Sequence, residues 1–156
     1  MTAGAGEPLH RHSSLGYQVN HLGRLLAQAL RARTAPHGVV PGQFAQLLAL
    51  YEQDGLTQNQ LCERVRIDQS TMAHTLQRMQ RDGLVERAAD PADRRRVLIT
   101  LTGRARELES DLVRAAGEVN AVVTRGLTEE EVTGFMLTLS RLIENLEADS
   151  AGGVQS

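Results

Sequence analysis

The sequence predicts a mainly α fold with one small antiparallel β-hairpin, a wing, and three observations predict it. Apolar residues recur at helical spacing over most of the chain. The period shortens to about two only between Leu84 and Leu101. Inside that window the run Asp90 to Arg96, DPADRRR, sets a proline and a block of charge between two apolar segments, as a hairpin tip would. The 156 residues are 41% hydrophobic and 3% aromatic with no Trp, which suits one globular domain or two small lobes with a core of Leu, Val, Ile, Met and Ala.

The elements follow in order. Residues 1–13 are small, polar and unpatterned, and read as a flexible arm. The series Leu15, Val19, Leu22, Leu26, Leu30 makes an amphipathic helix that ends near Arg33–Pro36. Pro41-Gly42 opens a second helix, with Phe44, Leu47, Leu48 and Tyr51 on one side and Asp54-Gly55 as its stop. Thr57-Gln58-Asn59-Gln60 is a capping box, in which the Thr side chain accepts from the amide three residues on and the Gln reaches back. The short helix it starts carries Leu61, Cys62 and Val65. Arg66-Ile67 is a tight connection to Asp68, a good N-cap for a helix through Arg81, and Gly83 supplies the left-handed stop.

Residues 84–87 and 97–101 then read as two strands around the charged tip. Helical spacing returns through Leu108, Leu112, Val119 and Val122 and stops at Gly126. A second capping box, Thr128 to Glu131, opens a last helix with Val132, Met136, Leu139, Ile143 and Leu146, and residues 149–156 read as a flexible tail.

Charge is unevenly placed. The whole chain carries −2, yet residues 57–106 carry +4 and residues 107–156 carry −7, and every basic residue is Arg. A basic centre followed by an acidic segment favours an anionic partner for the centre and keeps the end away from it.

Two short helices joined by a tight turn and followed at once by a hairpin make a winged helix-turn-helix lobe. The major groove of DNA is about 12 Å wide and admits one helix. Steps of 100° along residues 68–82 gather Met72, Leu76 and Met79 on one face, with Ser70, His74, Gln77 and Arg81 opposite and Thr71 and Arg78 at the edge. The outer face offers donors and acceptors for bases and phosphates. At the tip, Pro91 stiffens the turn beside Asp93 and Arg94-Arg95-Arg96. An arginine there suits the narrow minor groove, and Asp93 is expected to orient Arg95 through a charge-assisted bond.

From about Leu15 to Leu146 the chain resembles the MarR family of bacterial transcription regulators. The match is carried by GLTQNQLCERVRIDQSTMAHTLQRMQRDGLVERAADPADRRRVLITLT, Gly55 to Thr102, with its "GLVER" strand, "DPADRR" wing and "LT" entry to a long helix. The resemblance implies a homodimer with interlocking terminal helices and two winged lobes on successive grooves. It places recognition contacts on Gln69, Ser70, Thr71, His74 and Arg78, and a wing contact on Arg95 anchored by Asp93, with Arg94 and Arg96 beside it. The implied organisation is a helical dimerisation region of residues 14–40 and 103–148 around a DNA-binding domain of residues 41–102. Long apolar stripes on the flanking helices support a dimer independently, because a two-helix stub cannot bury them alone. In this family the first helix lines a cleft between lobes, so Tyr17 and His21, one turn apart, are candidates for binding an aromatic or phenolic effector.

Other signals carry less. Cys62 cannot form an internal disulfide and sits where such helices carry a small core residue. His10 and His12 lack a Cys or carboxylate at ligand spacing, so no metal and no cofactor is expected. Phosphate-loop, HExxH and GxSxG motifs are absent, and with them any expectation of an enzyme. Without a long apolar span or secretory leader, a cytoplasmic location off the membrane is expected. The expected function is a ligand-responsive repressor that binds a pseudo-palindromic operator as a homodimer. Two other readings stand beside it, an architectural DNA-coating protein of the same fold and a protein-interaction dimer that binds no DNA.

Overall fold

The computed structural model describes residues 10–153; the remainder of the expected arm (residues 1–9) and of the expected tail (residues 154–156) lies outside the described residues. Among the described residues, six α-helices and one two-stranded antiparallel sheet follow the order αααα–ββ–αα. Backbone contacts divide the chain into two compact units between Val119 and Asn120.

In the first unit, α1 (Leu15–Thr34) starts where Ser14 accepts from the Tyr17 amide. A 3-10 turn, Ala35–His37, closes on Gly38 at φ +72°, and α2 (Pro41–Glu52) begins on a proline, whose missing amide costs nothing in a first turn. The capping box expected at Thr57 forms: its Oγ1 accepts from the Gln60 amide at 3.2 Å, and Gln60 Oε1 accepts from the Thr57 amide at 2.9 Å. It opens α3 (Gln58–Val65), which ends on Arg66 in the left-handed region (φ 59°). Asp68 caps α4 (Gln69–Arg81).

The hairpin pairs β1 (Val85–Ala89) with β2 (Val97–Leu101), Val85 opposite Leu101 and Ala89 opposite Val97. The first strand starts one residue later and runs two residues further than the apolar pattern predicts. Leu84 is drawn into the helix stop, its amide donating to the Met79 carbonyl at 2.9 Å, while Ala88 and Ala89 pair across the sheet without contributing any apolar pattern to read.

One core holds this unit together. Leu47, Leu50, Leu56, Leu61, Met72, Leu76, Met79, Leu84, Ile99 and Leu112 are all fully buried, each contributing roughly 1.5–3 kcal/mol by leaving water. Cys62 belongs to the same cluster, and burial pushes its thiol pKa up. The wing's base is clamped to it through Leu56, which exchanges backbone bonds with Ile99, and through Asp54, whose Oδ1 accepts from the Leu101 amide at 2.9 Å and whose Oδ2 accepts from Arg106 at 2.6 Å. Tyr51 donates to the Ala105 carbonyl; burial, with Glu109 nearby, pushes its phenol up to about 12.

The long helix α5 (Gly103–Val123) crosses the boundary between the units. In the second unit, the capping box at Thr128 forms and opens α6 (Glu129–Gly152), which continues past residue 148 into the expected tail. Not one α6 residue is buried.

Candidate nucleic-acid interface

Helix α4, the second of the helix-turn-helix pair, is set by its N-cap. Asp68 Oδ1 accepts from the Thr71 amide and Oδ2 from the Thr71 hydroxyl, each at 2.8 Å. These bonds, the amide first, hold the Asp68 carboxyl below the usual carboxylate range. Met72, Leu76 and Met79 turn into the core, which leaves Ser70, Thr71, His74, Gln77, Arg78 and Arg81 exposed, the division that the 100° steps predict.

Beside α4 lies an open groove of about 760 Å³ lined by Ser70, Thr71, Ala73, His74, Thr75, Gln77 and Gln80 of the helix and by Arg87 of β1. Helix and wing therefore border one surface. Arg87 is not among the contacts expected from the sequence, although strand parity signals it. Val85 is buried, so Arg87, two residues on, belongs to the same sheet face, opposite buried Ile99. Its side chain has no ion pair among the described residues.

The groove brings together Ser70, Thr71 and His74 but not Gln69 or Arg78. Gln69 is tied back to α3: Gln58 Nε2 donates to its Oε1 at 3.1 Å, and its own Nε2 donates to Asn59 Oδ1. Arg78 lies 3.8 Å from Asp82, one turn on.

The wing tip is ordered by its acids. Asp90 Oδ1 accepts from the Ala92 amide at 2.9 Å, and its Oδ2 lies 3.9 Å from Arg96. Asp93 Oδ1 accepts from the Arg95 backbone amide at 3.1 Å. The expected partner of that carboxylate is the Arg95 guanidinium; the turn gives it to the amide two residues on, which is already in place and costs less side-chain entropy to engage. Arg94 and Arg95 are thus left without an ion pair among the described residues, while Arg96 is partly neutralised.

Away from this surface, Tyr17 and His21 stack on the exposed side of α1, ring centroids 6.2 Å apart. Among the described residues no group of three or more His, Cys, Asp or Glu is placed to hold a metal ion, and no helix is long and apolar enough to cross a membrane.

Comparison with known proteins gives this geometry a family. The MarR family model matches residues 37–96, from the turn after α1 to the wing tip. An uncharacterized HTH-type transcriptional regulator, YsmB of Bacillus subtilis (strain 168), is 29% identical over 136 residues, 87% of this chain and 93% of its own. The transcriptional regulator HosA of Escherichia coli O111:H- is 30% identical over 101 residues, 65% of this chain and 75% of its own. Among solved structures, the PcaV transcriptional regulator from Streptomyces coelicolor, in complex with its natural ligand, superposes with a TM-score of 0.79 at 26% identity, covering 88% of this chain and 97% of the other. With helix-turn-helix and wing bordering one basic-edged groove, the chain belongs to the MarR family and is a DNA-binding transcriptional regulator rather than an enzyme.

Proposed function

We propose that the protein is a homodimeric repressor that grips a pseudo-palindromic operator and lets go when a small aromatic or phenolic effector binds. The observation that carries the DNA part is the shared groove between α4 and β1. A duplex with α4 in its major groove and the wing tip in the adjoining minor groove passes one sugar–phosphate strand between them, across Arg87. Ser70, Thr71 and His74 then face base edges, with Gln69 and Arg78 flanking. Arg94 and Arg95 enter the minor groove, and Asp93 and Arg96 shape the turn that carries them.

The dimer is supported by two apolar faces that the chain leaves uncovered. Leu15, Val19, Leu22 and Leu25 of α1 are 37–61% exposed, and Phe135, Met136, Leu137, Ile143 and Leu146 of α6 are 39–71% exposed. A second copy covering residues 14–40 and 103–148 sets two reading helices about one helical turn of DNA apart, and the acidic charge of residues 107–156 orients the basic lobes toward the duplex. The effector reading rests on the Tyr17–His21 stack and on PcaV, whose structure holds its natural ligand. Release requires the effector to bind the DNA-incompetent form more tightly. A repressor working on DNA places the protein in the cytoplasm.

The test is to select operator fragments from genomic DNA with the purified protein and titrate them against random duplex at several salt concentrations. A preference of about 10³-fold or more supports a site-specific regulator. A ratio near one with a steep salt slope indicates a coating protein, and no binding at low salt leaves only a protein-interaction dimer. Reporter expression that rises when the gene is deleted supports repression; expression that falls overturns it.

A further inference from the structure

We propose that Arg104, in the first turn of α5, is a positioning residue for DNA reading: its guanidinium ties the end of the recognition helix to the corner between α1 and α2. Nη1 donates to the Asp82 carbonyl and Nη2 to the His37 carbonyl at 2.9 Å. Asp82 is the C-cap of α4, and His37 ends the 3-10 turn that follows α1. Both carbonyls lie at helix ends, where backbone acceptors lack intrahelical partners and a cation is favoured. One side chain therefore satisfies two helix termini from two parts of the fold.

The surroundings are built to fit this fork. Gly38 and Gly83, the residues just after the two carbonyls, both take φ +72°, and a Cβ on Gly38 would lie 2.8 Å from Arg104 Nη2. The far side of the same joint is fixed by Gln43, which is buried and donates to Asp82 Oδ2 at 2.8 Å. Asp111, two turns along α5, stands 3.9 Å from His37 Nδ1. A displacement of the α1–α2 corner thus pulls on the C-terminus of α4 through two bonds from a single rigid plane. Lysine cannot replace it, because an ammonium is a point charge and does not span two carbonyls in fixed geometry.

The role in DNA reading rests on the operator-binding reading above, so the experiment has one readout with DNA and one without. Arg104→Lys keeps the charge and loses the fork; Arg104→Ala loses both, and the lysine variant serves if the alanine variant does not fold. Hydrogen–deuterium exchange is followed at the amides of Gly38, Val39, Gly83 and Leu84, which close the two turns by bonding to Ala35, Thr34, Gln80 and Met79. Affinity is measured for a selected operator and for random duplex at one salt concentration.

Exchange is expected to accelerate at both turns together, and operator affinity to fall about tenfold, the scale of one charge-assisted bond, while random-duplex affinity stays within about threefold. For Arg104→Ala, acceleration at one turn alone, or at neither, overturns the tether; for Arg104→Lys, whose ammonium can keep one carbonyl, acceleration at neither turn does. An unchanged operator preference in a folded variant overturns the role in reading. Equal losses on both duplexes with a shallower salt dependence make Arg104 a phosphate contact and overturn the proposal as well. If the parent protein itself shows no operator preference, the operator reading fails and the role in reading with it, while the exchange data still judge the tether.

Discussion

Helices α4 and α6 carry similar apolar stripes and meet opposite fates. On α4, Met72, Leu76 and Met79 are completely buried and the polar side faces out. On α6, Phe135 and Leu146 fall on one stripe by 100° steps, with Leu139 and Leu142 between them, yet Phe135 is 53% and Leu146 71% exposed. The difference teaches what one copy of the chain can finish alone. The winged lobe is closed by its own residues, whereas the apolar stripe of α6 stays exposed. Stability and assembly should therefore separate on mutation.

The largest effect is expected inside the closed lobe. Leu76→Ala removes a fully buried side chain and should cost about 2–5 kcal/mol, read by urea denaturation, with loss of DNA binding on every sequence. Were the cost below about 1 kcal/mol, a surface-like value, α4 would not be packed as described.

Phe135→Glu combined with Leu146→Glu should do the reverse. The winged lobe should keep its helical signal, and the proposed dimer should weaken by at least about 100-fold, since central interface residues commonly carry 2 kcal/mol or more. Light scattering against concentration reads this directly. A variant that stays dimeric would remove α6 from the interface and leave its apolar face unexplained.

These two helices also mark how far the sequence could be read. Thr57–Gln60, Asp68–Thr71 and Thr128–Glu131 are signals complete within four residues, and each forms as the residues dictate. The buried face of α4 follows from spacing alone. Pairings that depend on the assembled fold were beyond such reading. The tie of Gln69 to Gln58 and Asn59 crosses between two helices, and Arg104 reaches His37 over 67 positions. Arg87 was half legible: its strand was seen, but only the register opposite Ile99 puts it on the face turned toward α4. The sequence expectation ends α6 at residue 148, whereas the helix runs on to Gly152, where the Gly152-Gly153 pair stops it, and Ser150 donates back to the Leu146 carbonyl within the helix.

Arg87 gives a smaller and sharper effect on the polar side of α4. Arg87→Gln should reduce the slope of log affinity against log salt by about 0.9, one phosphate contact, and weaken operator and random DNA alike. His74→Ala should instead change preference at one or two base positions, by about 1–3 kcal/mol each. If Arg87→Gln shifted base preference and left the slope unchanged, the strand would be reading sequence, and the sugar–phosphate path drawn across the groove would be wrong.

The smallest effect separates the two helices at their N-termini. The Thr71 amide of α4 is held by the Asp68 carboxylate, whereas the Glu131 amide of α6 is held by the Thr128 hydroxyl, which does not titrate in the ordinary range; the Glu131 carboxylate of that box accepts from the Thr128 amide instead. The folded pKa of Asp68 is lowered, first by the Thr71 amide and then by the Thr71 hydroxyl. A lowered folded value means the stabilisation is fully present above the unfolded pKa of about 3.9 and is lost as pH falls through the folded one. The amide of Thr71 should therefore lose exchange protection, relative to that of Glu131, as pH drops below about 4. Asp68→Asn keeps an amide acceptor at the cap and removes the titrating group, so it should flatten that loss while leaving α4 capped near neutral pH. Should the asparagine variant loosen with acid as steeply as the parent, the acid response belongs to another carboxylate, and the two helix starts differ in residue without differing in behaviour.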